Sequence, residues 1–109
     1  MQIVSDSEKI IMTINKTKNE ISLTLAVEGR LETTTAPELE AAVKSELDGV
    51  TSLTFDFSKL EYISSAGLRV LLTAQKIMNN QGSMKVINVS DIVSEIFEVT
   101  GFDSILTIE

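Results

Sequence analysis

The chain is 109 residues long, which allows one hydrophobic core and therefore predicts a single domain over residues 1–109. It contains no cysteine and no histidine, which excludes disulfides, thiol catalysis, the usual zinc sites and a histidine base. Its net charge of −7 argues against nucleic acid or an anionic membrane surface as a partner. No apolar run is long enough for membrane insertion. We therefore expect a soluble cytoplasmic protein without cofactor or metal.

The first part of the chain predicts a β-hairpin. Ile10, Met12 and Ile14 alternate with Ile11 and Thr13, which indicates a strand. At residues 21–27, Ile, Leu, Leu and Val alternate with Ser, Thr and Ala, which is the clearer pattern of a strand with one buried face. The polar residues 15–19 between them indicate the turn. Residues 1–9 show no firm pattern.

A helix is predicted after the hairpin. Thr35 and Glu38 have the spacing of a capping box, and Pro37 falls in the first turn, where its missing N–H costs nothing. Gly49 is the predicted end of the helix. The apolar face of this helix comprises Ala36, Leu39, Val43 and Leu47.

The stretch from Glu61 to Leu68 joins a predicted strand at residues 51–57 to a second predicted helix, and it contains Ser64 and Ser65. Unpaired N–H groups and the positive end of the helix dipole meet at the start of a helix, where they favour anions. A serine hydroxyl at this position is therefore either a plain N-cap or a phosphate acceptor whose modified form the helix tolerates.

The second helix has an apolar arc wider than half its circumference. Beside the main apolar row lies a second row, formed by Val70, Ala74 and Ile77. Deep packing against a sheet and a neighbouring helix explains this row. We favour that interpretation over the alternative, in which part of the row is an exposed docking surface.

The rest of the chain predicts a strand at residues 84–89, a short helix between Ser90 and Gly101, and an edge strand at residues 104–108. The order β-β-α-β-α-β-α-β predicts an α/β fold with a mixed, mostly parallel sheet of four to five strands. Because the second and third strands alternate strictly between apolar and polar residues, we expect the helices mainly on one face of this sheet.

Three segments of the chain match the pattern of one family. Residues 56–68 have the sequence DFSKLEYISSAGL, which is similar to the pattern D-L/F-S-x-V/L-x-F/Y-I/M-D-S-S/A-G-L. Residues 27–32 are similar to the turn before the first helix in that family, and residues 82–84 with 99–102 are similar to its C-terminal tail. The chain thus resembles the STAS domains of bacterial anti-sigma factor antagonists over about residues 10–108, which implies a STAS-like fold.

The resemblance implies a phosphorylated serine directly after the family's aspartate, and this position falls on Ser65. Ser64 stands where the family usually has that aspartate. Ser64 either replaces this aspartate as a hydrogen-bonding loop residue, which leaves Ser65 as the acceptor, or it changes the site itself. In the second case, recognition by the kinase that phosphorylates this serine is altered, or the acceptor is ambiguous between the two hydroxyls. We predict Ser65 as the phosphoacceptor, with Ser64 as the alternative, because the register of Ser65 to Gly67 matches the family. The predicted partner-binding residues are Glu32, Asp56, Ser64, Ser65, Ala66, Gly67, Leu68 and Val70.

The resemblance also implies that the chain is a binding module and not an enzyme. In its unphosphorylated form it is expected to sequester an anti-sigma factor, a serine kinase of the histidine-kinase-like ATPase fold, so that a sigma factor is released. A metal-dependent serine phosphatase of the PP2C type is expected to reset the switch. We expect a monomer or a weak dimer.

Two other functions stay open at this stage. One is a STAS subunit of another assembly, such as a lipid-transport complex or a stress-signalling scaffold. The other is a small enzyme that acts through acidic residues such as Asp56, Glu61 and Glu32, which the lack of histidine, cysteine and a nucleotide-binding loop disfavours. Carboxylates at strand ends and in loops are usually solvated, so we predict no metal or acid–base site there.

Overall fold

The computed structural model describes residues 11–109, so the predicted strand residue Ile10 lies outside the described range. An N-terminal hairpin and a helix come first: β1 (Met12–Asn19), β2 (Ser22–Leu31) and α1 (Ala36–Glu46). Two strands and a long helix follow: β3 (Ser52–Asp56), β4 (Leu60–Ile63) and α2 (Ser65–Asn79). The last elements are β5 (Ser83–Ile87), α3 (Asp91–Thr100) and a 3-10 turn (Phe102–Ser104).

Strand β2 lies at the centre of the sheet. It pairs with β1 in antiparallel fashion along one edge. Along the other edge it pairs in parallel with two strands in succession, β3 beside residues 22–26 and β4 beside Gly29–Leu31. Strand β5 extends the sheet by parallel pairing with β3. The result is a mixed, mostly parallel sheet of five strands, which confirms the predicted fold class.

One hydrophobic core holds the helices to the sheet. Alternate residues of the central strands point into it, and each of the three helices contributes buried side chains to the same cluster. On the other face of the sheet, Thr24, Thr54 and Asp56 are only partly buried. The strict alternation of the central strands therefore corresponds to one helix-covered face and one polar face. In residues 11–109, no helix combines the length and the apolar character needed to cross a bilayer.

The hairpin turn is shorter than predicted. Strand β1 continues through the polar residues up to Asn19, which pairs with Ser22, so that only Glu20 and Ile21 form the turn. Glu20 has a φ of 56°, the left-handed conformation that a tight turn requires. The prediction of a turn at residues 15–19 is wrong because β1 is an edge strand, where polar side chains are compatible with strand pairing.

Strand β4 was not predicted from the sequence. Its four residues are too few for a recognisable alternation, and its pairing depends on an irregularity in β2. The register shifts between Gly29 and Arg30, and the Gly29 N–H donates to the Lys59 carbonyl over 2.9 Å. Gly29 has a φ of 93°, and a side chain there would collide with the Ile11 carbonyl, so the shift requires glycine.

The predicted C-terminal strand is reduced to a single bridge. The chain reaches the outer edge of β5, where the Val86 N–H donates to the Thr107 carbonyl over 2.8 Å and the Glu109 N–H donates to the Val86 carbonyl over 2.9 Å. Ser104, the first residue of the predicted strand at residues 104–108, belongs instead to the 3-10 turn. The segment therefore lies at the predicted edge without forming a full strand.

Candidate functional site

The candidate site is the junction between β4 and α2. Ser64 has the extended conformation of an N-cap residue, with φ −97° and ψ 177°. Its N–H donates to the Leu31 carbonyl over 2.9 Å, and its carbonyl accepts from the Leu68 N–H over 2.9 Å. Two backbone hydrogen bonds thus connect the end of β2 to the first turn of α2, and they fix the residue that precedes Ser65.

The two serines of the junction differ in accessibility. The Ser64 Oγ is buried, makes no capping bond and has no hydrogen-bond partner among the described residues. Ser65 is the first residue of α2 and is exposed to solvent. A second protein can therefore reach Ser65 directly, whereas the Ser64 hydroxyl would first have to move outward.

Gly67 allows α2 to begin directly against the ends of two strands. A β-carbon at this buried position would lie 2.6 Å from the Leu31 Cγ and 2.8 Å from the Ile63 Cγ1, distances too short for any side chain. The helix backbone therefore approaches β2 and β4 as closely as sterics permit. This contact fixes where α2 starts and hence where Ser65 is displayed.

Two shallow grooves flank the start of α2, and Arg69 borders both. On one side, Ser65 and Arg69 lie beside residues from the C-terminal end of the chain; the other lining residues are Leu68, Leu72, Thr100 and Phe102. On the other side, the groove runs towards α1; its remaining lining residues are Thr33, Ala36, Pro37, Glu40, Ala66 and Val70. The first groove thus combines an exposed hydroxyl and a cation with an apolar floor.

The start of α2 has no negative charge of its own. Its first turn contains no acidic residue, although acidic residues occur in the first turns of α1 and α3. The free N–H groups and the dipole of this end of the helix are therefore not neutralised by a carboxylate within the helix. The electrostatics of the junction favour a bound or covalently attached anion near Ser65.

Glu32 lies next to the junction but is already paired. Its Oε2 accepts from the Arg30 Nε over 2.7 Å, and this hydrogen bond raises the pKa of the Arg30 guanidinium. The same guanidinium lies 4.7 Å from the centre of the Tyr62 ring, in cation–π geometry. The predicted contact residue Glu32 is thus paired with a cation that also contacts an aromatic ring.

The predicted capping box at Thr35 is wrong. Thr35 does precede α1, but its side chain makes no capping bond to the helix. Its hydroxyl instead donates to the Arg30 carbonyl over 2.8 Å and accepts from the Glu32 N–H over 2.9 Å. Thr35 is buried because it closes the loop between β2 and α1.

Asp56 does not belong to the junction. It pairs with Ala26, five residues before the Leu31 position of β2, which corresponds to about 16 Å along the strand. Its Oδ1 accepts from the Ser58 N–H over 3.0 Å and from the Asn88 Nδ2 over 3.1 Å. These two hydrogen bonds lower the pKa of the Asp56 carboxyl. Asp56 therefore ties together the ends of β3 and β5, away from the junction along the parallel pairing of β2.

Three predicted contact residues, Gly67, Leu68 and Val70, are buried in the core. Leu68 is 5% exposed and Val70 is 4% exposed, because both side chains face the sheet or α1 and form the floors of the two grooves.

Ala74 is fully buried and Ile77 is partly buried against the same core. The second apolar row of α2 therefore packs inside the protein. Among the predicted contact residues, Ser64, Ser65, Ala66 and Glu32 retain accessible surface at the junction, although the Ser64 Oγ is buried.

Sequence reasoning missed three residues of the site. The spacing of four residues between Ser65 and Arg69 places them on one face of α2, so this spacing could have identified Arg69. Thr100 and Phe102 reach Ser65 only through the packing of the C-terminal segment, which no local pattern reveals. Within residues 11–109 there is no group of three acidic residues that could hold a metal ion.

Comparison with known proteins identifies the fold family. The family described as "Mlab, STAS domain" matches residues 14–107, most of the chain. The chain belongs to the STAS domain family. Among curated proteins, this STAS domain is 34% identical over 99 residues to BtrV of Bordetella bronchiseptica, a candidate anti-sigma factor antagonist by its name; the match covers 89% of this chain and 85% of BtrV.

Solved structures of anti-sigma factor antagonists have the same fold. An anti-sigma factor antagonist from Mycobacterium paratuberculosis matches with a TM-score of 0.81 at 22% identity, over 90% of this chain and 85% of that one. The unphosphorylated form of the anti-sigma factor antagonist SpoIIAA matches with a TM-score of 0.78 at 16% identity, over 89% and 88% of the two chains. The phosphorylated form of Bacillus SpoIIAA matches with a TM-score of 0.70 at 15% identity, over 89% and 91%. At these identities the likeness concerns the fold alone.

The substitution Gly67→Ala tests the close contact at the start of α2. In an open helix position alanine would stabilise the protein, but here the added methyl group collides with Leu31 and Ile63. We expect a loss of about 1–3 kcal/mol in the free energy of unfolding, measured by urea denaturation. The same substitution in a Leu31→Ala background should cost clearly less. Equal costs in the two backgrounds, or stabilisation by Gly67→Ala, would contradict the contact.

The substitution Asp56→Asn tests the structural role of this carboxylate. Because the folded pKa is lowered, the ionised group stabilises the protein above its unfolded pKa of about 3.9, and this contribution is lost as the pH falls through the folded pKa. We expect Asp56→Asn to lower the melting temperature at pH 7 and the difference from wild type to shrink towards pH 2. Asp48→Asn, in the exposed loop after α1, serves as the control. A difference independent of pH would refute this role.

Proposed function

We propose that this STAS domain is an anti-sigma factor antagonist whose binding to its partner is switched by phosphorylation of Ser65. The observation that carries the proposal is an exposed serine at the first position of α2, a helix whose first turn contains no acidic residue. The unphosphorylated protein binds an anti-sigma factor through the surface around Ser65. Addition of a phosphate to Ser65 ends that interaction.

The comparisons support the proposal at two levels. The relative from Bordetella bronchiseptica and the structural neighbours bear the name of anti-sigma factor antagonists. The neighbour SpoIIAA is described in an unphosphorylated and a phosphorylated form, and both forms match the fold of this chain. A switch that changes the charge of a STAS domain while its fold persists is consistent with these matches.

The burial of the two serines favours Ser65 as the acceptor. Phosphoryl transfer requires the acceptor oxygen to enter the active site of a kinase, in line with the γ-phosphate. Ser65 meets this requirement as it stands, because it is exposed. The Ser64 Oγ is buried, and the Ser64 backbone is fixed by its hydrogen bonds to Leu31 and Leu68. Ser64 therefore acts in the proposal as the residue that holds the junction in place.

The switch follows from where the charge is added. A phosphoserine carries about −1.5 to −2 charges at pH 7. The free N–H groups at the start of α2 stabilise this charge by about 0.3–1 kcal/mol, so the fold persists. A partner pressed against the same surface would have to desolvate the dianion beside Glu32, on a protein whose net charge is already −7. The charge therefore weakens binding far more than it affects folding.

The proposed partner is an anti-sigma factor that is itself a serine kinase of the histidine-kinase-like ATPase fold. Its sequestration would release a sigma factor, and a PP2C-type phosphatase would restore the binding form. In this scheme the domain is the substrate of both enzymes and acts in the cytoplasm. The alternative is a STAS subunit of another assembly, such as a lipid-transport complex, since the matching family description names Mlab as well. In that case no cognate kinase modifies Ser65.

Incubation with the cognate kinase, ATP and Mg²⁺, followed by mass spectrometry of peptides, tests the acceptor. We expect one phosphate on Ser65 in the wild type and in Ser64→Ala, and none in Ser65→Ala, because only the Ser65 hydroxyl is exposed. Phosphate on Ser64, or no phosphate with any encoded kinase of this class, would contradict the proposal. Tight binding to a transporter ATPase in the latter case would support the alternative assembly.

Titration calorimetry with the anti-sigma factor tests the charge mechanism. Ser65→Asp should weaken binding by about 100-fold or more, since a desolvated charge costs several kcal/mol. The melting temperature should stay within about 2 °C of the wild type, because the helix end tolerates the charge. Ser22→Asp places the same charge at the far end of β2 and is the matched control, for which we expect unchanged binding. Normal binding by Ser65→Asp would disprove the charge mechanism.

A further inference from the structure

We propose that Arg69 binds the phosphate of phosphorylated Ser65 within the same molecule. The inference rests on the proposed function, because it takes Ser65 as the phosphate acceptor. It adds a residue that holds the modified side chain in one position. Arg69 therefore helps to define the structure of the phosphorylated form and acts as a positioning residue of the switch.

The geometry of α2 brings the two side chains together. Ser65 and Arg69 are four residues apart in one helix, which places their β-carbons about 5–6 Å apart on the same face. Both line the groove that Leu72, Thr100 and Phe102 close on its other sides. The guanidinium is at the end of a long side chain, so it can reach a phosphate attached to Ser65 without any movement of the backbone.

Arg69 is available for this role. Within residues 11–109 its guanidinium has no ion-pair partner, whereas Arg30 is paired with Glu32. The carboxylate that lines its other groove is Glu40, which lies 3.7 Å from the Lys44 ammonium. Among the described residues, therefore, no ion pair has to break before Arg69 binds a phosphate on Ser65.

The chemistry of the pair is favourable. A phosphate dianion offers three acceptor oxygens, and a guanidinium offers parallel N–H donors that engage two of them at once. An anion four residues before a cation is also the better of the two orders on a helix, because each charge then lies nearer the helix end of opposite sign. The apolar floor formed by Leu68 and Leu72 lowers the local dielectric and strengthens the attraction.

The pairing has two consequences for the switch. It keeps the phosphate on the surface of α2, so the added charge does not disturb the buried Ser64 hydroxyl and Gly67. It also withdraws Arg69 from any partner, so the phosphorylated surface gains a negative charge and loses a positive one as a contact. Both effects favour dissociation of the partner from the phosphorylated protein.

The test uses full-length protein in which phosphoserine is incorporated at position 65 during translation, so that no kinase is needed. The phosphate pKa is then measured by ³¹P NMR titration. Because an adjacent guanidinium favours the dianion, we expect Arg69→Gln to raise the phosphate pKa by about 0.3–0.5 unit. Arg69→Lys should give an intermediate value, since it keeps the charge without the planar fork.

Lys76→Gln is the matched control. It removes one exposed cation from the same helix, but at eleven residues from Ser65, or about 16 Å along the axis, where salt screens the interaction. We expect no change in the phosphate pKa for this variant, and we expect 1 M NaCl to abolish the difference between wild type and Arg69→Gln. Equal pKa values in Arg69→Gln, Lys76→Gln and wild type would overturn the inference. Different results would overturn the proposed function: the kinase does not phosphorylate Ser65, or a negative charge at position 65 does not weaken binding to the anti-sigma factor.

Discussion

The close contact of Gly67 with Leu31 and Ile63 is the constraint on which the candidate site depends. It lets α2 start close to the ends of β2 and β4, with only Ser64 between β4 and the helix. Ser64 is then held by backbone bonds on both sides, with its hydroxyl turned inward. Ser65, the next residue, is therefore exposed to solvent at the N-terminus of the helix.

This arrangement separates the stability of the fold from the state of the switch. The residues that hold the junction are apolar or use backbone groups, so none of them depends on the charge at Ser65. The free N–H groups of α2 are suited to an anion, and so is Arg69, which has no ion-pair partner within residues 11–109. The first turn of α2 contains no acidic residue that would supply this negative charge. A protein built in this way can carry a phosphate on its surface while its core stays unchanged.

Much of this could be predicted from the sequence, and the exceptions have physical causes. Strict alternation in the strands predicted the one-sided sheet, and the glycine and serines predicted the junction. Strand β4 was not predicted because its pairing depends on a register shift at Gly29, which produces no periodic pattern in the sequence. Asp56 was grouped with Ser65 because both lie in one sequence motif, yet β3 and β4 run in line along β2 and keep them apart. Thr100 and Phe102 were matched to a family tail, but only tertiary packing places them beside Ser65.

A comparison of amide ¹H–¹⁵N spectra of the unmodified protein and the protein phosphorylated at Ser65 tests the central claim most directly. If the junction displays Ser65 on a rigid base, chemical-shift changes will be confined to the first turns of α2 and to the segment that carries the groove residues Thr100 and Phe102. The amides of Leu31 and Ile63, beneath the helix, will keep their shifts. Changes that spread through β2 and β4, or a loss of signal dispersion, would show that the phosphate acts by disrupting the fold and would contradict the account.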